Sequence, residues 1–165
     1  MEFTLASIEE TYALGALVGR SASAGCVVAL NGALGAGKTV FAQGVGKGLS
    51  VAETLTSPTF VLANWYHSGR LSLLHADLYR LNSVEEAHAI GLEEALEGDG
   101  VGLVEWAERF PEVLPLDRLD LSLSFVPGEP GRRRLVLGAT GGRAQAWLTQ
   151  MRSEIEALVG QSRRG

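Results

Sequence analysis

Cysteine is almost absent. Cys26 stands alone among 165 residues, which excludes an internal disulfide and suits a reducing compartment. No stretch reaches 18 uninterrupted apolar residues, so no membrane span is expected. The first residues lack the basic-then-apolar layout of a secretory signal, and the cytoplasm is the expected location. Basic residues are in the minority, 14 Lys and Arg against 19 Asp and Glu, for a formal charge of −5. That balance argues against a broad electrostatic grip on a nucleic-acid backbone, while leaving room for action on RNA through a partner. The one run of three basic residues, Arg132, Arg133 and Arg134, reads as a solvated turn. His67, His75 and His88 have no metal-ligand spacing, so no zinc site is expected.

Apolar residues (46%) and glycine (21 residues) are plentiful. The length suits a single domain over residues 1–165, large enough to bury a core without staples. One glycine-rich run is Gly32-Ala33-Leu34-Gly35-Ala36-Gly37-Lys38-Thr39. Two glycines with four residues between them, Gly32 and Gly37, followed at once by Lys and Thr, satisfy the P-loop pattern. Glycine lets the backbone curl so that successive N–H groups form an anion nest. Lys38 can reach terminal phosphates, and Thr39 can offer a hydroxyl to magnesium. The flanks agree. Cys26-Val27-Val28-Ala29-Leu30 reads as a buried strand, and Phe41, Val45 and Leu49 recur at helical spacing after the loop. The helix start adds its positive dipole end to the phosphate site.

Around this unit the pattern predicts a short edge strand over residues 1–6 and a helix led by the capping box Ser7-Ile8-Glu9-Glu10. A hairpin is expected from strands at 59–67 and 71–74. A second capping box, Ser83-Val84-Glu85-Glu86, leads a short helix ending near Gly91, with another turn at 93–96. A strand ends at Glu105. Late strands at 119–125 and 135–137 flank a turn over 127–131. An amphipathic helix begins at Ala144, with Trp147, Leu148, Met151, Ile155 and Leu158 on one face. Gly44, Gly46 and Gly48 weaken the helix after the loop unless something packs closely there. The expected fold is therefore α/β, a P-loop NTPase with a central mixed, partly parallel sheet flanked by helices.

Ligands in such sheets sit beyond the carboxyl ends of the strands. Asp77 and Glu105 each end an apolar strand, and either could be the carboxylate that holds magnesium. Ser57-Pro58-Thr59-Phe60 reads either as a switch, with the Thr59 hydroxyl near the terminal phosphate, or as an ordinary turn. Trp106 shields the site or belongs to the core. Trp147 reads as core.

Four blocks in order then carry a resemblance: the loop at 32–39 continuing to Phe41 and Gly44; Ser57-Pro58-Thr59-Phe60; His75-Ala76-Asp77-Leu78-Tyr79-Arg80-Leu81 with Glu85 or Glu86 and Gly91-Leu92; and Glu105-Trp106. Over roughly residues 5 to 140 the chain resembles the bacterial TsaE family, small P-loop ATPases of tRNA threonylcarbamoyladenosine synthesis. It departs from the family's habit at Ala107, where proline is common, and at Ala76, where a larger apolar residue is common. Neither change removes a chemical group.

The resemblance implies ATP and Mg2+ as ligands. Leu34, Gly35, Ala36, Gly37, Lys38 and Thr39 would bind the phosphates, with Thr39 and Glu105 holding the metal. Asp77 would sit by the triphosphate, Thr59 in the switch, and Lys38, Asp77, Glu105 and Thr59 would form the catalytic set. Thr11, Glu108 and Arg132 would line the nucleotide. It also implies the TsaD–TsaB pair as partners, tRNA reached only through that complex, and an ATPase that is weak alone. Two other readings compete. A small-molecule kinase would need an arginine-rich lid, which the sequence lacks. A non-catalytic nucleotide-sensing adaptor would bind without hydrolysis.

Overall fold

The computed structural model describes residues 1–58 and 62–161. Seven strands, β1 (Glu2–Leu5), β2 (Val27–Asn31), β3 (Ala63–Tyr66), β4 (Leu73–Asp77), β5 (Val101–Glu105), β6 (Arg118–Val126) and β7 (Glu129–Thr140), form one sheet. Their order is β1-β7-β6-β2-β5-β4-β3. The central strands β6, β2, β5 and β4 run parallel. Antiparallel β7 and β1 close one side, and antiparallel β3 the other. This is the mixed, helix-flanked sheet that the sequence leads one to expect.

Strands β2 and β5 are buried on both faces because both faces are covered, whereas β6 alternates, with Leu119, Leu121 and Leu123 buried. In β2, Val28 and Leu30 point into the larger core with helices α1 (Ile8–Ser21), α2 (Lys38–Gly48) and α5 (Gly142–Gln161). Val27 and Ala29 point the other way, onto α3 (Val84–Ala89) and α4 (Leu92–Leu96). Trp147, Met151 and Ile155 of α5 are buried, so the expected stripe is the packed face, with Val159 joining it. Cys26 lies just ahead of β2 and is half-buried.

Both capping boxes form, with one shift each. The Ser7 hydroxyl accepts the Glu10 N–H, and the Glu10 carboxylate reaches one residue further back, accepting the Ala6 N–H at 2.7 Å. Ser83 accepts the Glu86 N–H, and Glu86 accepts the Asn82 N–H at 3.0 Å. Helix α5 is capped from a distance. The Asp117 carboxylate accepts the Ala144 N–H at 2.7 Å and the Arg143 N–H at 3.2 Å. These bonds hold the Asp117 carboxyl below the usual carboxylate range, the Ala144 N–H contributing most. A folded-state value below the unfolded one stabilises above the unfolded pKa and is lost as pH falls through the folded value. Asp117→Ala is therefore expected to lower the melting temperature at pH 7, with the difference from the parent shrinking by pH 3. Melting curves at both pH values check this; an equal difference at the two would contradict it.

The structure corrects the reading of residues 127–134. The connection is a two-residue turn, Pro127-Gly128, with Val126 opposite Glu129, so β7 already runs through the three arginines. The reason is lateral: β7 pairs with β6 on one side and β1 on the other, which extends a segment whose own sequence is polar. Arg134 bonds Glu2 of β1, and Arg132 pairs with Glu129.

The glycines of α2 also find their explanation. Gly44 and Gly48 face α1, where a Cβ on either would lie 2.2 Å from a backbone carbonyl, of Tyr12 and Ala16 respectively. Gly15 and Gly19 of α1 meet the Phe41 and Val45 carbonyls in the same way. The two helix backbones touch, which only glycine at these positions permits. Gly46 faces elsewhere, toward Leu55.

Candidate functional site

Strand β2 delivers the chain to the loop at its carboxyl end. Gly35 and Gly37 have φ of +78° and +109°, conformations that side-chain-bearing residues rarely adopt. Gly37 is the N-cap of α2 and supplies no side-chain cap. The first bond of this helix runs from the Phe41 N–H to the Gly37 carbonyl. The N–H groups of Lys38, Thr39 and Val40 therefore precede the helical ladder, at the positive end of the helix dipole. This is a donor set for an anion.

Lys38 is 6% exposed. Its ammonium donates to the Gly32 and Ala33 carbonyls and lies 4.3 Å from the centre of the Trp106 ring. Burial lowers its pKa, while the charges of Glu105, Asp77 and Glu108 oppose that shift. Trp106 holds a left-handed conformation, φ +57°, and its ring packs on Tyr79 with centroids 4.8 Å apart. Both readings of Trp106 hold in part: it is half-buried against the smaller core and lines the same cavity as Lys38.

Asp77 and Glu105 are register partners on adjacent parallel strands, so both carboxylates leave the sheet side by side next to the loop. Asp77 is half-buried and accepts the Tyr79 N–H at 2.8 Å and the Ser57 hydroxyl at 3.4 Å. Burial raises its pKa, the Tyr79 bond opposes this, and the neighbouring Glu105 charge raises it further. A carboxylate raised in the folded state costs stability once pH exceeds the unfolded value. Asp77→Asn is therefore expected to raise the melting temperature at pH 7. Melting curves of the two proteins check this; a lower melting temperature in the variant would contradict the burial of a charged Asp77.

Glu105 is buried, and its Oε1 is 3.1 Å from His75 Nε2. A cavity of about 450 Å³ opens between the loop and these strand ends, lined by Gly35, Lys38, Thr39, Asp77, Glu105 and Trp106 among others. Among the described residues no group of three His, Cys, Asp or Glu could hold a metal by itself. Thr39 with one or both carboxylates fits Mg2+, which keeps waters and shares its shell with phosphate oxygens.

The structure thus brings Leu34, Gly35, Gly37, Lys38, Thr39, Asp77 and Glu105 to one cavity. Ala36 is buried beneath the loop. Thr11 lies behind it: its methyl sits 3.5 Å from where a Gly37 side chain would begin, and its hydroxyl donates to the Ser7 carbonyl. Glu108 is exposed; its N–H donates to the Asn31 side chain. Arg132 faces Glu129 on the surface. Thr59 lies outside the described residues, as do Phe60 and the rest of that block after Pro58.

Two contacts escaped the sequence reading. Arg133 Nε donates to the Ala36 carbonyl at 3.0 Å, and its guanidinium stacks 4.5 Å from the Phe125 ring. It braces the outer side of the loop, a role hidden while residues 132–134 read as a turn. The other is His75, whose contact with Glu105 has a sequence signal: it sits two residues before Asp77, hence on the same face of the strand.

Comparison with known proteins agrees with this arrangement. The family model for threonylcarbamoyl adenosine biosynthesis protein TsaE matches residues 5–134. A tRNA threonylcarbamoyladenosine biosynthesis protein TsaE from Treponema pallidum is 47% identical over 117 residues, covering 71% of this chain and 86% of the relative. The protein of that name from Bacillus subtilis is 39% identical over 135 residues, covering 82% and 83%. The crystal structure of Bacillus subtilis YdiB superposes with a TM-score of 0.78 at 32% identity, over 93% of this chain and 95% of that one.

Proposed function

This chain belongs to the TsaE family of tRNA threonylcarbamoyladenosine biosynthesis, and on that premise we propose that it binds and hydrolyses ATP with Mg2+ in the cytoplasm, in support of the TsaD–TsaB pair. The observation that carries the reading is the meeting of a positive-φ glycine loop at a helix N-terminus with two register-paired carboxylates across one cavity. Triphosphate hydrolysis needs this combination, since catalysis there is mostly positioning and charge stabilisation.

The backbone N–H groups of residues 34–39 bind phosphate oxygens. Lys38 exchanges the Gly32 and Ala33 carbonyls for the terminal phosphates. Thr39 and Glu105 would hold Mg2+, which supplies positive charge to the phosphate oxygens when bound. Asp77, half-buried with a raised pKa, orients water or accepts its proton beside them. Trp106 shields the Lys38 side of the cavity from solvent. With a formal charge of −5 the chain does not grip tRNA itself; RNA is reached through the partners.

Phosphate release from Mg-ATP, measured with and without TsaD–TsaB, tests the proposal. Slow release alone and clear stimulation by the pair are expected. Absence of stimulation by a competent pair defeats the partner-dependent ATPase, and near-zero release both with and without the pair leaves the nucleotide-sensing adaptor.

A further inference from the structure

We infer that His75 is a positioning residue for Glu105, fixing the carboxylate so that one oxygen serves the cavity. His75 is 0% exposed in the middle of β4 and opposite Leu103 of β5. The pleat puts it on the same face as Asp77, diagonal to Glu105, with Nε2 3.1 Å from Oε1. Its other nitrogen, Nδ1, is buried with no hydrogen-bond partner among the described residues.

That orphan decides the tautomer. A proton on Nδ1 would be a buried donor with nothing to bond, and Nε2 would then turn a lone pair toward a carboxylate oxygen. A proton on Nε2 donates to Glu105 and leaves only an unsatisfied acceptor, the cheaper arrangement. Oε1 is thereby committed to His75, and Oε2 is the oxygen available to the cavity. A polar ring buried in an otherwise apolar strand, with half its bonding capacity unused, is poor core packing. Its one bond goes to the carboxylate that ends the next strand. Partners of this kind typically change metal affinity or activity 10- to 100-fold when removed.

The inference rests on the reading of Glu105 as the magnesium carboxylate. In the 15N-labelled full chain without nucleotide, the ring nitrogens of His75 are expected to show a protonated Nε2 and a bare Nδ1, assigned by loss of the signals in His75→Gln. A proton on Nδ1 overturns the inference, and this readout needs no activity. Calorimetric titration of Mg2+ into chain plus a non-hydrolysable ATP analogue gives the second readout. His75→Leu is expected to raise the half-saturating Mg2+ concentration about 10- to 100-fold, with metal-free nucleotide affinity unchanged. His75→Gln, whose amide nitrogen reaches the Nε2 position, recovers most of the loss; the shorter His75→Asn does not. If His75→Leu fails to fold, the Gln and Asn pair carries the comparison. An unchanged Mg2+ requirement in the His75 variants, with a raised one in Glu105→Gln, overturns the inference and spares the site reading. No change in Glu105→Gln rejects the site reading and the inference with it.

Discussion

Lys38→Ala is expected to lose at least about 100-fold in affinity for an ATP analogue, near the upper end of what a hydrogen-bonded charged contact contributes, roughly 3 kcal/mol. Two effects add. The triphosphate loses a point charge that can reach its terminal groups. The cavity also loses the cation whose charge interacts with Asp77, Glu105 and Glu108, leaving an acidic pocket that repels the ligand. Lys38→Arg is expected to restore little. A compact ammonium on a flexible stem can move from the two loop carbonyls to the phosphates as a point charge, and a broad planar guanidinium does not reproduce it. Calorimetric titration of the three proteins decides the matter. Parent-like affinity in Lys38→Ala would mean that the phosphates bind elsewhere.

The second large effect is on folding. Gly44→Ala puts a methyl 2.2 Å from the Tyr12 carbonyl, where real contacts do not occur, with Ala16 N at 3.0 Å. Neither neighbour is a side-chain tip that can swing away; both are helix backbone. Helices α1 and α2 must separate along their length, opening a core that holds Leu14, Val18, Phe41 and Val45. Helix propensity alone favours alanine by about 1 kcal/mol, so packing must overcome that gain. Overpacking typically costs 1–3 kcal/mol and sometimes more. With rigid backbone on both sides the packing cost lies at or above the top of that range, about 3–4 kcal/mol, so a net loss of about 2–3 kcal/mol is expected, lowering the melting temperature by roughly 5–10 °C in a chain of this size. Gly160→Ala, in a helix position with nothing within 4 Å, is the control and is expected to be neutral or mildly stabilising. A Gly44→Ala protein that melts with the control would show that α1 and α2 do not touch as described. Because α2 begins at Lys38, the same displacement should also weaken nucleotide binding.

The candidate site was legible where chemistry is written into adjacent residues. The loop at 32–39 needs glycine for its backbone and lysine for its charge, so its sequence names its geometry. Asp77 and Glu105 were legible because each ends an apolar strand, and parallel sheets present their carboxyl ends to ligands. That the two carboxylates lie side by side could not be read from either strand alone; their register is a property of pairing. Arg133 was misread because β7 owes its length to neighbours on both sides. Thr11 carries no local sign that it sits behind Gly37, since α1 and the loop are joined only by packing.

Local order in the chain determined the elements themselves: capping at Ser7 and Ser83, the buried run of β2, the curled loop, and the apolar stripe of α5. These follow from spacing and backbone sterics, which act over a few residues. Tertiary structure decided what meets what. It set Gly15 against Phe41 and Gly44 against Tyr12, laid Trp106 over Lys38, and joined His75 to Glu105. Such contacts join segments brought together by burial, and no periodicity within a single segment encodes its partner.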